Sequence, residues 1–470
     1  MAVTAPPPIS TNPLGRLLAD LRAERATREP WPPGPTGFSL RRTRAFVRSP
    51  LPILLDAHAE YGPIFTIRVL HAPVVFMLGP EANHYITVSH ADNFRWREGS
   101  LGDLIPLLGD GLLTIDGAYH RTARRIMLPA FHRDRIVSAG EAMLAEASAA
   151  IDAWRPDQRI DVYRWTRELA LRVAMRALFG FDPDAPGRAA LAHEFEVGLG
   201  YYGRDYLLQL LRGPKTPWAR MQLARRRIDE VIHEEIGRRR RTPDVQRDDL
   251  LSLLLEARDE DGGSLSDAQV RDQVMTLLFA GHDTTTATVT FLFYELARHP
   301  HELTRLIEEQ DEVLEGRAPT AEELFSGMPR LEAALDETLR LYPAAWVGPR
   351  LAVESFEFAG STVPAGSHVN YSSWVSHRLS DVFPDPEAFV PDRFTPEAKA
   401  KLPKGAYVPF GGGSRTCIGM RFGQLEIKAI ATLVLRRFRL ELVPGRTMEV
   451  QPAPTLGPRG GLEMVVRERR

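Results

Sequence analysis

Cys417 is the only cysteine in a chain of 470 residues. It lies in the run Phe410-Gly411-Gly412-Gly413-Ser414-Arg415-Thr416-Cys417-Ile418-Gly419. A lone cysteine is more often a small buried hydrophobe than a reactive group. Here three glycines precede it, an arginine stands two residues before it, and a helical pattern (Leu425, Ile427, Ala429, Ile430, Leu433) follows. Glycines let backbone amides approach a ligand closely and adopt positive φ. A helix N-terminus and Arg415 both favour an anion, so they would hold this sulfur as thiolate. Such a thiolate suits a metal ligand, and one thiolate alone suits haem iron better than zinc. A second group of chemical residues interrupts an apolar helix face. Val270, Val274, Leu277 and Leu278 give way to Gly281, Asp283, Thr284 and Thr285. Hydroxyls bonding back to carbonyls would be the structural explanation, but a charge inside an apolar stripe is costly unless used or paired. Glu337 and Arg340 form a third group, three apart on a helix that Pro343 ends, so they share a face.

The elements that must position these groups follow from pattern. The central helix is expected to start at Ser266, where Ser266-x-x-Gln269 makes a capping box, and to end before Pro300. At 1.5 Å per residue it spans roughly 50 Å, enough to cross a domain. Residues 1 to 40 are punctuated by Pro6, Pro7, Pro8, Pro30, Pro32, Pro33 and Pro35. Between them Leu14, Leu17, Leu18 and Leu21 recur at helical spacing, which predicts a short helix packed by its apolar face on the body, with a membrane-surface anchor as the alternative. From Leu51 to Phe76 the pattern turns toward strand, with Ile64 to Val69 and Val74 to Met77 the β-rich runs. The stretch from about 118 to 310 reads as helical, broken by turns at Asp182-Pro183-Asp184 and Asp261-Gly262-Gly263. Strand-like segments return around 351 to 375 and 438 to 468. Interleaved elements without a repeat favour one large, mainly α domain with a smaller β part, over 36–470, preceded by a proline-rich segment over 1–35. Arg225 to Arg227 and Arg238 to Arg241 read as a solvated helix face, or as a surface for an acidic electron-transfer partner.

Composition removes whole classes. Lysine plus arginine total 59 against 61 acids, so nucleic acid is not expected as the main partner. One cysteine excludes an intrachain disulfide, a four-cysteine zinc site and a four-cysteine iron–sulfur cluster. No apolar run reaches the roughly 18 residues of a membrane helix, and Met1 to Ser10 lacks the features of a secretory signal. A cytoplasmic protein without a transmembrane anchor is expected. There is no Gly-x-Gly-x-x-Gly after a strand, no Walker loop and no His-Glu-x-x-His, and Gly413-Ser414-Arg415 fails as a nucleophile elbow.

The cysteine run fills every fixed position of Phe-x-x-Gly-x-Arg-x-Cys-x-Gly and so resembles the haem-binding signature of the cytochrome P-450 family of haem-thiolate monooxygenases. Glu337-Thr338-Leu339-Arg340 is similar to the family's Glu-x-x-Arg helix. Pro391-Asp392-Arg393-Phe394 resembles its Pro-x-Arg-Phe segment, and Ala280-Gly281-His282-Asp283-Thr284-Thr285 its oxygen-activating helix. The resemblance runs over roughly residues 40 to 465. The Pro-Asp-Arg-Phe form and the arginine of the cysteine loop resemble the microsomal-like branch, whereas the missing anchor points to a bacterial-type member. The resemblance implies haem b with Cys417 as axial iron ligand, beside Phe410 and Gly411. Asp283 and Thr284 would deliver protons to the activated oxygen, with Ala280 and Gly281 leaving room for dioxygen. Glu337, Arg340 and Arg393 would form a buried network fixing the cysteine loop. His120 and Arg124, four apart on a helix from Ala118 to Ile126, would hold the haem propionates together with Arg350 and Arg415. Leu277, Ala280, Ala345, Trp346, Val347 and Leu456 would face an apolar substrate such as a fatty acid, terpenoid or steroid. Residues 94 to 117 would form the loop over the haem.

The activity so implied inserts one atom of O2 into an unactivated C–H bond, with thiolate electron density favouring O–O cleavage. Electrons would come from a separate ferredoxin or flavodoxin and an NAD(P)H reductase. A peroxide-using or isomerising haem enzyme is the runner-up, against which the retained Asp283 and Thr284 argue. A non-catalytic haem sensor is the third class.

Overall fold

The computed structural model describes residues 8–469 apart from 10, 28–29, 186–187, 189–190, 205, 243–244, 246, 248 and 259–263. The proline pair Pro6-Pro7 and the turn Asp261-Gly262-Gly263 lie outside the described residues. A sheet and a helical body each carry apolar clusters of their own. Strands β1 (Ile64–Val69), β2 (Ala72–Met77), β3 (Phe94–Arg95), β4 (Gly348–Ala352) and β5 (His368–Tyr371) form a sheet in the order β1-β2-β5-β4-β3. β1 and β2 are an antiparallel pair with Thr66 opposite Val75, and β4 pairs antiparallel with β5, Arg350 opposite Val369. β2 and β5 run parallel, Val75 beside Val369. Parallel neighbours need a long crossover. Here nearly the whole helical body, between Met77 and Gly348, lies inside that crossover, so the sheet and the helices fold as one unit. A second sheet joins Arg159–Asp161, Glu463–Glu468 and Phe438–Leu442.

Six helices carry the argument in that body: α2 (Gly117–Met127), α3 (Val162–Val173), α4 (Pro217–Arg241), α5 (Asp267–Arg298), α6 (Pro329–Leu341) and α7 (Met420–Arg437). The central helix α5 begins where its capping box predicts, Ser266 and Gln269 each bonding the other's backbone N–H, and ends at Arg298 before Pro300. It is buried on nearly every side, as a helix through the middle of a core must be. α7 starts directly after the cysteine loop and packs across α5, where Thr285 meets Glu426. The largest apolar cluster gathers Phe179, Phe195, Phe293, Met275, Leu335 and Ile430 around these helices.

Two sequence expectations change. Helix α1 (Pro13–Ala26) forms, but it presents charges to the body and leaves Leu14 and Leu18 exposed. Residues Pro50–Tyr61 are helical, not strand-like. Leu51, Leu54 and Ala57 keep a 3–4 residue apolar period there and are buried, and that period outweighs their neighbours' β propensity. The arginine clusters of α4 are a largely solvated face with one exception: Arg239 is buried between Glu235 and Asp249, while the exposed Arg227 pairs with Glu194 and Arg240 with Asp267.

Candidate active site

The cysteine loop is bent by its glycines. Gly411 and Gly413 have φ of 70° and 60°, the left-handed region that favours glycine. A side chain on Gly412 or Gly413 would strike Thr87, so the loop lies tight against the turn at Tyr85–Ser89. The Cys417 N–H donates to the Phe410 carbonyl at 2.9 Å, closing the loop. The sulfur is accessible although it sits deep in the protein, so it opens on an internal cleft. Burial pushes the thiol above its ordinary value, while the Gly419 N–H and the Arg124 charge pull it back down. Arg415 does not share this task. It turns to Asp116 at 2.5 Å and to the Ile115 carbonyl at 2.8 Å, so among arginines the expected support of the thiolate comes from Arg124.

Around the cleft stands more positive charge than its acids answer. Arg350 is 3% exposed and lies over the Trp96 ring at 4.0 Å, with Arg415 over the same ring at 4.9 Å. Among the described residues no carboxylate forms an ion pair with Arg124 or Arg350, and Asp116 is the one acid on Arg415. Burial and the neighbouring Arg350, Arg124 and Arg95 hold Arg415 down to about 10 despite Asp116. His120 is pushed down to about 3, first by burial and then by Arg415 and Arg124. Buried cations that repel one another call for an anion between them. Two carboxylates on one flat ligand meet that demand, and Cys417 supplies the single sulfur donor. These residues fit a haem: Cys417 to the iron, and Arg124, Arg350, Arg415 and His120 to the propionates.

Across the cleft, burial along α5 breaks at Ala280, Gly281 and Thr284, and nothing lies within 4 Å of where a Gly281 side chain would start. Ala280 and Thr284, four apart, therefore share a face on the cleft. The Thr284 hydroxyl donates to the Ala280 carbonyl at 2.6 Å, so its oxygen lone pairs remain as acceptors. Asp283 is 1% exposed and paired: Arg167 Nη2 of α3 is 2.5 Å from Oδ1, and the Thr455 hydroxyl donates to Oδ2. Arg167 also covers the Tyr163 ring at 5.0 Å.

The Glu337 and Arg340 side chains are fully buried and doubly bonded, at 2.7 and 2.9 Å. Arg393 Nε approaches Glu337 at 3.5 Å, and the Val390 N–H donates to Glu337 at 2.8 Å. Arg340 further donates to the carbonyls of His377, Pro386 and Ala388. Burial and Arg340 push the His377 ring down to about 3. Its neutral ring takes the Val408 N–H on Nε2 at 2.9 Å, with Nδ1 3.2 Å from the Arg340 carbonyl. Gly411 N–H then donates to the Val408 carbonyl, so one chain of bonds runs from α6 into the cysteine loop.

Of the expected pocket residues, Leu277 and Leu456 are buried and Ala345 and Val347 are open. The Trp346 ring instead joins the cluster of Phe65, Phe76 and Leu78, and its Nε1 donates to the Pro452 carbonyl at 2.7 Å. The sequence reading missed Trp96, Asp116, Arg167, Thr455 and Glu426. Only Asp116, an acid just before a helix, carried a local signal.

Glu426 is 3% exposed. The Thr285 hydroxyl donates to one oxygen at 3.3 Å, and the other has no partner among the described residues. Burial pushes its carboxyl up to about 8, against the pull of Thr285. A raised carboxyl pKa stabilises the fold below the ordinary carboxylate range and loses that contribution as pH climbs toward 8. Glu426→Gln stays neutral throughout. Wild type should therefore lose roughly 1.4 kcal/mol per pH unit relative to Glu426→Gln across that window, to a total of a few kcal/mol. Thermal melts of both proteins at several pH values check this, and parallel curves would place Glu426 in water.

A sequence profile described as Cytochrome P450 matches residues 32–460. Cyclooctatin synthase of Streptomyces melanosporofaciens is 35% identical over 434 residues, 90% of this chain and 92% of its own. Cyclooctat-9-en-7-ol 5-monooxygenase of the same organism is 35% identical over 429 residues, covering 89% and 92%. Pentalenene oxygenase of Streptomyces avermitilis is 34% identical over 340 residues, covering 72% and 75%. Among solved structures, retinoic acid bound cyanobacterial CYP120A1 superposes with a TM-score of 0.84 at 30% identity, covering 94% of this chain and all of that one.

Proposed function

The chain belongs to the cytochrome P450 family and is an oxidoreductase of its monooxygenase type, and from that premise we propose that it oxidises an apolar, alicyclic terpenoid at a C–H bond. The observation that carries the reading is the cleft itself. A single thiol faces it from one side, Arg124 and Arg350 stand around it without a carboxylate in ion-pair contact among the described residues, and a threonine beside a buried acid faces it from the other. Oxygenases named for cyclooctat-9-en-7-ol and pentalenene support the substrate class.

Haem b held by Cys417 supplies dioxygen activation and the insertion of one oxygen atom into the C–H bond. The protein does the rest. Arg124, Arg350, Arg415 and His120 bind and orient the propionates. Ala280 and Gly281 leave space above the ring plane. Thr284, its proton committed to Ala280, would accept a hydrogen bond from a water in the cleft. Asp283, between Arg167 and Thr455, passes protons inward from the α3 side. No helix among the described residues is long and apolar enough to cross a membrane, and this sequence carries no dinucleotide-binding glycine motif. We propose a cytoplasmic reaction with electrons from a separate ferredoxin or flavodoxin and its NAD(P)H reductase.

Two variants test the acid and the hydroxyl with a surrogate reductase. Thr284→Ala should consume reductant while releasing hydrogen peroxide in place of hydroxylated terpenoid. Asp283→Asn should slow the whole cycle on the order of a hundredfold, because an amide cannot relay a proton. Coupled turnover equal to wild type in both would remove the pair from the mechanism. Turnover driven only by added peroxide would favour the peroxide-using reading.

A further inference from the structure

Helix α1 turns Arg16, Asp20 and Glu24 toward the body beside the half-buried Leu17 and Leu21. The three charged residues, four apart, form one stripe. Asp20 stands between two imidazoles from different places in the sheet. Its Oδ2 is 2.8 Å from His71 Nε2, in the β1–β2 turn, and its Oδ1 is 3.1 Å from His368 Nε2, at the start of β5. One turn onward Glu24 pairs with Arg68 of β1, and one turn back Arg16 pairs with Asp103. No residue of α1 is buried. Its docking is therefore a matter of charge, with little apolar area to hold it.

The far end of this contact matters. Asp103 lies in the segment 94–117, which carries Trp96 and Asp116, the partners of Arg350 and Arg415 at the cleft. A side chain on Gly102 would meet Arg16 at 2.6 Å and Ile9 at 2.8 Å, so the N-terminal chain lies directly on that segment. We propose that α1 is an electrostatic strap that ties the 94–117 segment to the sheet, gripping through Arg16 on Asp103, Asp20 on His71 and His368, and Glu24 on Arg68. That the tied segment covers an oxidising site rests on the function proposed above, but the strap itself does not.

The groups around Asp20 are His71, His368, Arg16 and the acids Asp103 and Glu24. Burial alone would raise the Asp20 carboxyl, but hydrogen bonds from His368 and His71 outweigh it and hold it far below the usual range. The carboxylate side of the clasp is therefore lost only in strong acid. The grip is a set of partly exposed charged contacts, so added salt weakens it. Loosening α1 frees Asp103 and with it the cover of the cleft.

Hydrogen exchange of the intact protein reads this without turnover. Amides of 13–26 and of 94–117 should both exchange roughly tenfold faster in about 1 M salt than in about 0.05 M salt at one pH. The double variant His71→Gln, His368→Gln should flatten that dependence. Asp20→Asn, which keeps the shape and removes the charge, should exchange fast at both salt concentrations. Exchange of α1 that ignores salt would overturn the strap, as would loosening of α1 that leaves 94–117 unchanged. A protein that exchanges as expected but oxidises nothing would fail the function and leave the strap standing.

Discussion

Arg340→Ala should give a protein that melts far below wild type and purifies with little haem. Arg340 has no solvent exposure, and its guanidinium satisfies both Glu337 oxygens and three backbone carbonyls. Removing one partner of a buried ion pair leaves the other charge uncompensated, at a cost on the order of 3–5 kcal/mol. The orphaned carbonyls of His377, Pro386 and Ala388 add to that. The damage travels by a definite route. His377 loses the group that fixes its carbonyl, and its ring is what holds the Val408 N–H ahead of the cysteine loop. Glu337→Ala should do the same, because it strands Arg340, Arg393 and the Val390 N–H together. Thermal unfolding and the haem-to-protein absorbance ratio check both variants. Full haem with a normal melt in either would show that the pair is dispensable and does not fix the loop.

What the sequence made legible were features that repeat or that sit close together along the chain. The Ser266–Gln269 box marked the start of α5 because a cap is a local bargain between residues three apart. Glu337 and Arg340 could be placed on one face for the same reason. The cysteine loop was readable because its glycines, arginine and cysteine are contiguous. What stayed hidden was the identity of distant partners. Asp283 meets Arg167 from 116 residues away and Thr455 from 172, and helical period alone cannot reveal either. Glu426 looked like one more polar position on α7 until packing against Thr285 buried it. The charged contacts of α1 had the same cause. Its leucine spacing predicts an apolar seat, but His71, His368 and Arg68 offered its acids stronger partners. The direction of Arg415 was also a tertiary matter, settled by Asp116.

Cys417→His is the other large effect, and it bears on the central claim that this sulfur ligates the haem iron. Imidazole is a neutral donor, so the exchange removes the negative charge that a thiolate gives to iron. It should also leave Arg124 without the anion that supports its charge in the buried cleft. The absorbance spectrum of the reduced, carbon-monoxide-bound protein reads the ligand directly. Wild type should show the red-shifted thiolate band for which the family is named, and Cys417→His should lose it entirely even where haem is retained. A Cys417→His protein that keeps the band, or a wild type that never shows it, would contradict the assignment.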